Sequence, residues 1–273
     1  MDSTRELSKL DCRVRNFLEL KSISQRSETQ RGSSGSRKTA EHMEKSCSVL
    51  SEEDPEDNVP CVLVKHYQFC GYDLEITRYF NERMGVSAFV WNSGLTLCQF
   101  FEQERMNFSG KKMIELGSGT GIVGILAILL GGQVTLTDQI QALKQIEHNV
   151  SVNVPDSCRH LPTIRALSWG FDHVHFPSDY DIILGSDIVY YPSDFPLLLQ
   201  TLRHLSNQQT IIYIATELRG CGATRKFHEE LIPLYFNSRI IYRNKDADIN
   251  LYKLTLKGPK TGEEKETGKK ITV

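Results

Sequence analysis

The sequence predicts an α/β protein, a doubly wound sheet of seven strands with an added β-hairpin on its amino-terminal side. Three observations predict it. First, KKMIELGSGTGIVGILAILLGGQVTLTD at 111–138 reads as strand, glycine turn, apolar helix and second strand. Second, strands and helical stretches keep alternating to about residue 256, which implies right-handed crossovers and a parallel sheet covered on both faces. Third, a closing pair, 238–242 and Ile249–Leu256, is joined by the short acidic loop KDAD. That connection is too short for a crossover, so one of these strands runs antiparallel.

In chain order, Ser3 and Glu6 can form a capping box ahead of Leu7, Leu10, Val14, Phe17 and Leu18, which share a helical face. A Ser-, Arg- and Gly-rich stretch follows, with too few large apolar residues to drive its own ordering. Residues 1–58 are therefore expected to be a disordered extension with a transient helix at its front, 59–256 the folded domain, and 257–273 a charged, disordered tail. CVLVKHYQF and YDLEITRYF flank Cys70-Gly71 as a hairpin. Asn92 or Ser93 then caps a helix bearing Leu95, Leu97, Cys98, Phe100 and Phe101, with Trp91 just before it as either a core residue or a wall for a ligand. Strand 112–116, helix 122–130 and strand 134–137 lead to Asp138, and QALKQIEHNVSVN reads as the next helix. Strand 163–167 ends at Ser168-Trp169-Gly170, and the apolar strand 181–185 ends at Ser186-Asp187-Ile188-Val189-Tyr190-Tyr191-Pro192. A helix carrying Phe195, Leu197, Leu198, Leu202 and Leu205, strand 210–215 and helix 223–235 complete the set before the closing pair.

Several function classes are disfavoured. A net charge of −2 leaves no basic footprint for nucleic acid. Seven cysteines, odd in number and never spaced C-x-x-C, argue for reduced thiols without a disulfide framework or a zinc site. His173 and His175 lack an acid or cysteine at ligand spacing and are read as solvated, so no metal is expected. The longest apolar run, 122–130, falls short of the ~20 residues of a membrane span, and no secretory segment follows Met1. The expected setting is cytoplasmic.

The glycine turn carries the chemistry. A strand that stops at glycines and restarts as a helix brings backbone close to a ligand. Asp138, at the tip of the next strand, is placed to accept hydrogen bonds from a ribose diol. Two glycine registers overlap: Gly117, Gly119 and Gly121 in E-x-G-x-G-x-G, and Gly119, Gly121 and Gly124 in the dinucleotide fingerprint G-x-G-x-x-G. The strand ends at Leu116, so the turn begins at Gly117 and the first register is favoured. Glu115 then suits a cofactor with a cationic amino-acid tail and would repel a pyrophosphate, unless it is merely a strand-end acid facing solvent. The reading is S-adenosylmethionine rather than NAD. Trp169 lies past the carboxyl end of its strand, where an indole either stacks on an adenine or plugs the sheet edge.

ELGSGTG, the acid of TLTD, the tryptophan of LSWG and SDIVYY together resemble the seven-β-strand methyltransferases, and more narrowly the family-sixteen protein-lysine methyltransferases marked by D-x-x-Y after the fourth strand. The similarity spans roughly 62–256, with Ser118 and Ser186 where relatives often have alanine. It implies a Rossmann-like class I methyltransferase sheet. It implies further that Gly117, Ser118 and Gly119 hold the methionine end of S-adenosylmethionine, that Asp138 binds the ribose, that Trp169 and Ser186 border the adenine, and that Trp91 closes the pocket. Asp187 and Tyr190 would face the incoming lysine. The implied substrate is a protein, elongation factor 1-alpha, with a chaperone or an ATPase as alternatives. A NAD-dependent oxidoreductase and a non-enzymatic binding module are the rivals from other classes.

Overall fold

The structure, a computed structural model, describes residues 61–80, 84–158, 160–220 and 222–258. The expected extension (1–58), with its front helix, lies outside the described residues, as does the expected tail apart from Lys257 and Gly258. The hairpin is β1 (Cys61–Phe69) with β2 (Tyr72–Phe80), an antiparallel pair separate from the main sheet. Cys70 and Gly71 both take positive φ, 54° and 80°, as a two-residue type I′ turn requires.

After α1 (Asn92–Gln103) the main sheet begins with β3 (Lys112–Leu116), followed by α2 (Ile122–Leu129) and β4 (Gln133–Asp138). Then come α3 (Leu143–Asn153), β5 (Thr163–Ala166), β6 (Ile182–Ser186), α4 (Phe195–Leu205) and β7 (Ile211–Glu217). The chain closes with α5 (Ala223–Lys226), β8 (Phe236–Asn244) and β9 (Ile249–Leu256). The sheet order is β5-β4-β3-β6-β7-β9-β8, with β9 antiparallel to both neighbours and the other pairings parallel. The seven-strand doubly wound sheet with its added hairpin is thus as expected. The central strands are covered on both faces: Met113 and Leu184 point into one core layer with α1 and α2, Ile114 and Ile183 into the other with α4. Strand order reverses between β3 and β6, the position at which such sheets bind ligands beyond the strand carboxyl ends.

One helix is not continuous. The stretch expected as helix 223–235 is α-helical only to Lys226, widens to a π turn over Phe227–Leu231 and tightens to a 3₁₀ turn at Ile232–Leu234. Pro233 has no N–H to bond back four residues and its ring crowds that carbonyl, so the regular ladder cannot pass through it. The cap of α1 also differs from expectation. Trp91 occupies the cap position, its side chain does not cap the helix, and its carbonyl accepts the Gly94 and Leu95 N–H groups at 3.0 and 3.2 Å.

The hairpin is fastened by side chains rather than by another strand. Gln145, Asn149 and Asn153, each four residues apart on α3, accept the N–H groups of Tyr79, Thr77 and Glu75 at 2.8 Å each. Four helical residues rise about 6.0 Å and two strand residues about 6.6 Å, so the two repeats stay in step over three rungs. Asn149 also donates to the Thr77 and Thr120 carbonyls at 2.9 and 2.8 Å, which ties the hairpin to the glycine turn. Asn149→Ala would leave these buried backbone groups without partners, and equilibrium unfolding should register a loss of about 3 kcal/mol. A loss below about 0.5 kcal/mol would mean that the ladder contributes nothing beyond packing.

Candidate active site

β3 stops because the residues after Leu116 adopt left-handed backbone: Gly117, Gly119 and Gly121 have φ of 64°, 56° and 83°. These are conformations in which glycine is unstrained. The turn then spends its amides inward. Ser118 N–H donates to the Thr137 carbonyl (2.9 Å), Gly119 N–H to Asp138 Oδ2 (2.7 Å), Gly121 N–H to the Ser118 carbonyl (2.7 Å) and Gly124 N–H to Glu115 Oε2 (3.0 Å). Neighbouring carboxylates and carbonyls have therefore already taken the amides at these four positions.

Glu115 does not face solvent. It is 1% exposed, beneath the turn, and a Cβ on Gly124 would lie 2.5 Å from its Oε2. The last glycine of the dinucleotide-like register thus serves close packing of α2 on β3 and β4. Burial pushes the Glu115 carboxyl up to about 8, against the lowering effect of hydrogen bonds from Ser118 and Gly124, while Asp138 raises it further. Asp138 ends β4, where Oδ2 is held by Gly119 and Oδ1 accepts the Gln139 N–H at 2.7 Å. Burial raises its pKa too. Ser87, from the segment before α1, lies 3.4 Å from Asp138 Oδ1 and offers its carbonyl to Gln145 at 2.7 Å.

The loop after β6 faces the same edge. Gly185 and Gly117 leave room for the Ile188 side chain, whose carbons would lie 2.5 and 2.8 Å from a Cβ at either glycine. With Ile188 tucked under, the backbone must reverse at Asp187, a non-glycine residue at φ 57°. Such a conformation costs roughly 1 kcal/mol or more. The Asp187 N–H is anchored to the Ala215 carbonyl at 2.8 Å, and Oδ2 accepts a hydrogen bond from the Arg219 guanidinium. Oδ1 is buried without a partner. Desolvation raises the Asp187 pKa and Arg219 opposes that rise. Backbone strain and an unpartnered buried oxygen thus meet at one residue.

The remaining residues close around these. Trp169 is half-buried, with its ring edge 3.5 Å from where a Gly117 Cβ would stand. Ser186 Oγ lies 3.4 Å from the corresponding point on Gly94, so the start of α1 abuts the end of β6. The Trp91 indole N–H donates to the Val86 carbonyl (3.0 Å), and the Arg219 guanidinium sits 5.1 Å from its ring centroid. Tyr190 is half-buried with its ring 4.5 Å from that of Tyr191; burial raises its pKa, then the field of Asp138, with a smaller effect of Asp187. His173, expected to be solvated, is buried against His204 with ring centroids 5.1 Å apart, because α4 covers it. Arg219 and Ser87 were not singled out from the sequence. A lone arginine after β7 and a serine in a loop carry no motif, and only the sheet brings them to this edge.

With the Ser118, Gly119, Gly121 and Gly124 amides already paired and Asp138 at its edge, the turn offers a phosphate fewer free donors and suits a cationic nucleoside. These demands define the class as S-adenosylmethionine-dependent methyltransferases with the Rossmann-like class I sheet. A family model described as lysine methyltransferase matches residues 70–232, more than half of the chain. EEF1A lysine methyltransferase 3 of Xenopus tropicalis is 51% identical over 190 residues, covering 70% of this chain and 84% of that protein. Its Mus musculus namesake is 49% identical over 185 residues, covering 68% and 79%. Protein N-lysine methyltransferase METTL21A of Xenopus tropicalis is 39% identical over 193 residues, covering 70% and 87%. Among solved structures, a 16S rRNA N2 methyltransferase of T. thermophilus, in complex with AdoMet and guanosine, shares the fold with a TM-score of 0.55 at 12% identity. That similarity covers 75% of this chain and about half, 52%, of the other. The chain belongs to the lysine methyltransferase family, and its activity is S-adenosylmethionine-dependent methylation of protein lysine.

Glu115 makes stability depend on pH. Its folded value of about 8 exceeds the free value of 4.5, so the folded chain holds a proton that the unfolded chain has lost between those limits. Stability should therefore fall as pH rises through that window, by up to about 1.4 kcal/mol per pH unit, and level off above it. Glu115→Gln, which can still accept the Gly124 N–H, should remove this slope, so that its advantage in thermal unfolding grows from about pH 5 to about pH 9. An advantage that stays constant across that range would refute the assignment.

Proposed function

We propose that this chain methylates a lysine side chain of elongation factor 1-alpha. Trp91, Gly117, Ser118, Gly119, Asp138, Trp169 and Ser186 hold S-adenosylmethionine, and Asp187 and Tyr190 receive the lysine. The observation that carries the lysine site is the buried, unpartnered Oδ1 of Asp187 on a left-handed residue beside the glycine turn. The choice of substrate is supported by two relatives at 51% and 49% identity whose names carry EEF1A. A cytoplasmic setting goes with that substrate. Among the described residues no helix is long and apolar enough to cross a membrane.

When bound, S-adenosylmethionine supplies a methyl group on a sulfonium, an electrophile that a neutral amine displaces in line. A lysine must first shed a proton from a group with an ordinary pKa near 10.4, and burial lowers that value. The proton goes to water. Asp187 Oδ1 then accepts a hydrogen bond from a remaining amine N–H and aims the nitrogen lone pair, while the Tyr190 ring flanks the alkyl stem. Asp138 takes the ribose hydroxyls on lone pairs left over from Gly119 and Gln139. Trp169 covers the base. Alignment of this kind supplies on the order of 7 kcal/mol in favourable cases.

Transfer of tritiated methyl to unmethylated elongation factor 1-alpha tests the proposal, with a chaperone and an ATPase as alternative acceptors. Asp187→Asn should cut turnover by about 100-fold or more while S-adenosylhomocysteine affinity, measured by calorimetry, stays within a few-fold. Asp138→Ala should weaken that affinity first. Full turnover in Asp187→Asn would remove the lysine-site assignment.

A further inference from the structure

We infer that Arg219 is a positioning residue for methyl transfer: by pairing with one oxygen of Asp187, it keeps the bound lysine a free amine instead of an ammonium ion. This rests on the proposal that Asp187 meets the lysine nitrogen.

The geometry divides the two carboxylate oxygens. Arg219 Nη2 donates to Asp187 Oδ2 and leaves Oδ1 buried and without a partner. The same Nη2 lies 3.3 Å from Glu217 Oε2, and the guanidinium carbon is 5.1 Å from the Trp91 ring centroid. Its backbone is tied as well, because Arg219 N–H donates to the Glu217 carbonyl at 3.0 Å. The arginine side chain is 29% exposed and that of Asp187 only 2%, so the cation stands outward of the acid.

Charge explains why a methyltransferase would keep such a pair. An unpaired carboxylate within about 4–6 Å of a lysine favours the ammonium, the form with no lone pair to attack. Glu217 at the end of β7 acts on Asp187, and Asp138 at the tip of β4, Asp194 and Asp187 itself act on Tyr190 of the same loop. That company is acidic, and Arg219 is the cation set against it. With the guanidinium in place, Asp187 accepts a hydrogen bond without offering a net charge, and a like charge nearby favours release of the lysine proton to water. The nitrogen–carbon bond then forms as the sulfur–carbon bond breaks, with its electron pair staying on sulfur.

Arg219→Gln, Arg219→Lys and Asp187→Asn in the full chain test this through the pH profile of methyl transfer. The acceptor is unmethylated elongation factor 1-alpha or, where the native chain does not label it, the lysate protein that it does label. Arg219→Gln should lose about tenfold or more near pH 7 and recover toward native rates at alkaline pH, its acidic limb displaced upward by about one unit. S-adenosylhomocysteine affinity should stay within a few-fold, and Arg219→Lys should retain the native profile. An equal loss at every pH, an unchanged profile or a collapse of S-adenosylhomocysteine binding in Arg219→Gln would overturn the inference. Native turnover in Asp187→Asn would instead overturn the proposal beneath it. An inactive Asp187→Asn beside an unchanged Arg219→Gln would defeat this inference alone.

Discussion

The hydrogen bond from the Gly119 amide to the Asp138 carboxylate organises the carboxyl edge of the sheet. It fastens the turn after β3 to the tip of β4, and it is possible only because Gly117, Gly119 and Gly121 take left-handed backbone at little cost. Once the turn is folded this way, the amides of Ser118, Gly119, Gly121 and Gly124 point into the protein, with Asp138 at the turn's edge and Glu115 beneath it. A phosphate-binding turn has the opposite polarity, with free amides outward. The same glycine spacing can serve either ligand. What decides between them is where the N–H groups go.

A buried polar lattice keeps that turn in place. Asn149 and Gln145 on α3 reach the carbonyls of Thr120 and Gly119 while also pairing the edge of β2. The hairpin is therefore mechanically continuous with the glycine turn, although it shares no strand pairing with the main sheet. Buried amides of this sort are worth most when every donor and acceptor is matched, and Asn149 meets that condition through both its oxygen and its nitrogen.

The loop after β6 shows the complementary arrangement, in which one acceptor is left unmatched. Small residues at 117 and 185 admit Ile188, the backbone turns left-handed at Asp187, and the carboxylate is pressed into a space where only one of its oxygens finds a cation. The folded chain tolerates the strain and the orphaned oxygen because the packing around Ile188 over-determines them. Local disfavour is concentrated at this one residue, and SDIVYY alone does not reveal it.

Much of the architecture was legible in the residues themselves. Alternation of apolar strands with helical stretches, and a loop of four residues before the last strand, determined the parallel core and its antiparallel closing strand, because side-chain periodicity and connection length are local properties. ELGSGTG and the acid after TLT marked the turn that is tied to the tip of β4 for the same reason. Tertiary structure alone decided that Glu115 is buried and not at the surface, that His173 packs beneath α4, that Pro233 breaks the last helix into three kinds of turn, and that Arg219 lies against Asp187. The two members of that ion pair stand 32 residues apart and carry no motif in common. Burial and pairing depend on which strands become neighbours in the sheet, and that is settled only when the whole chain packs.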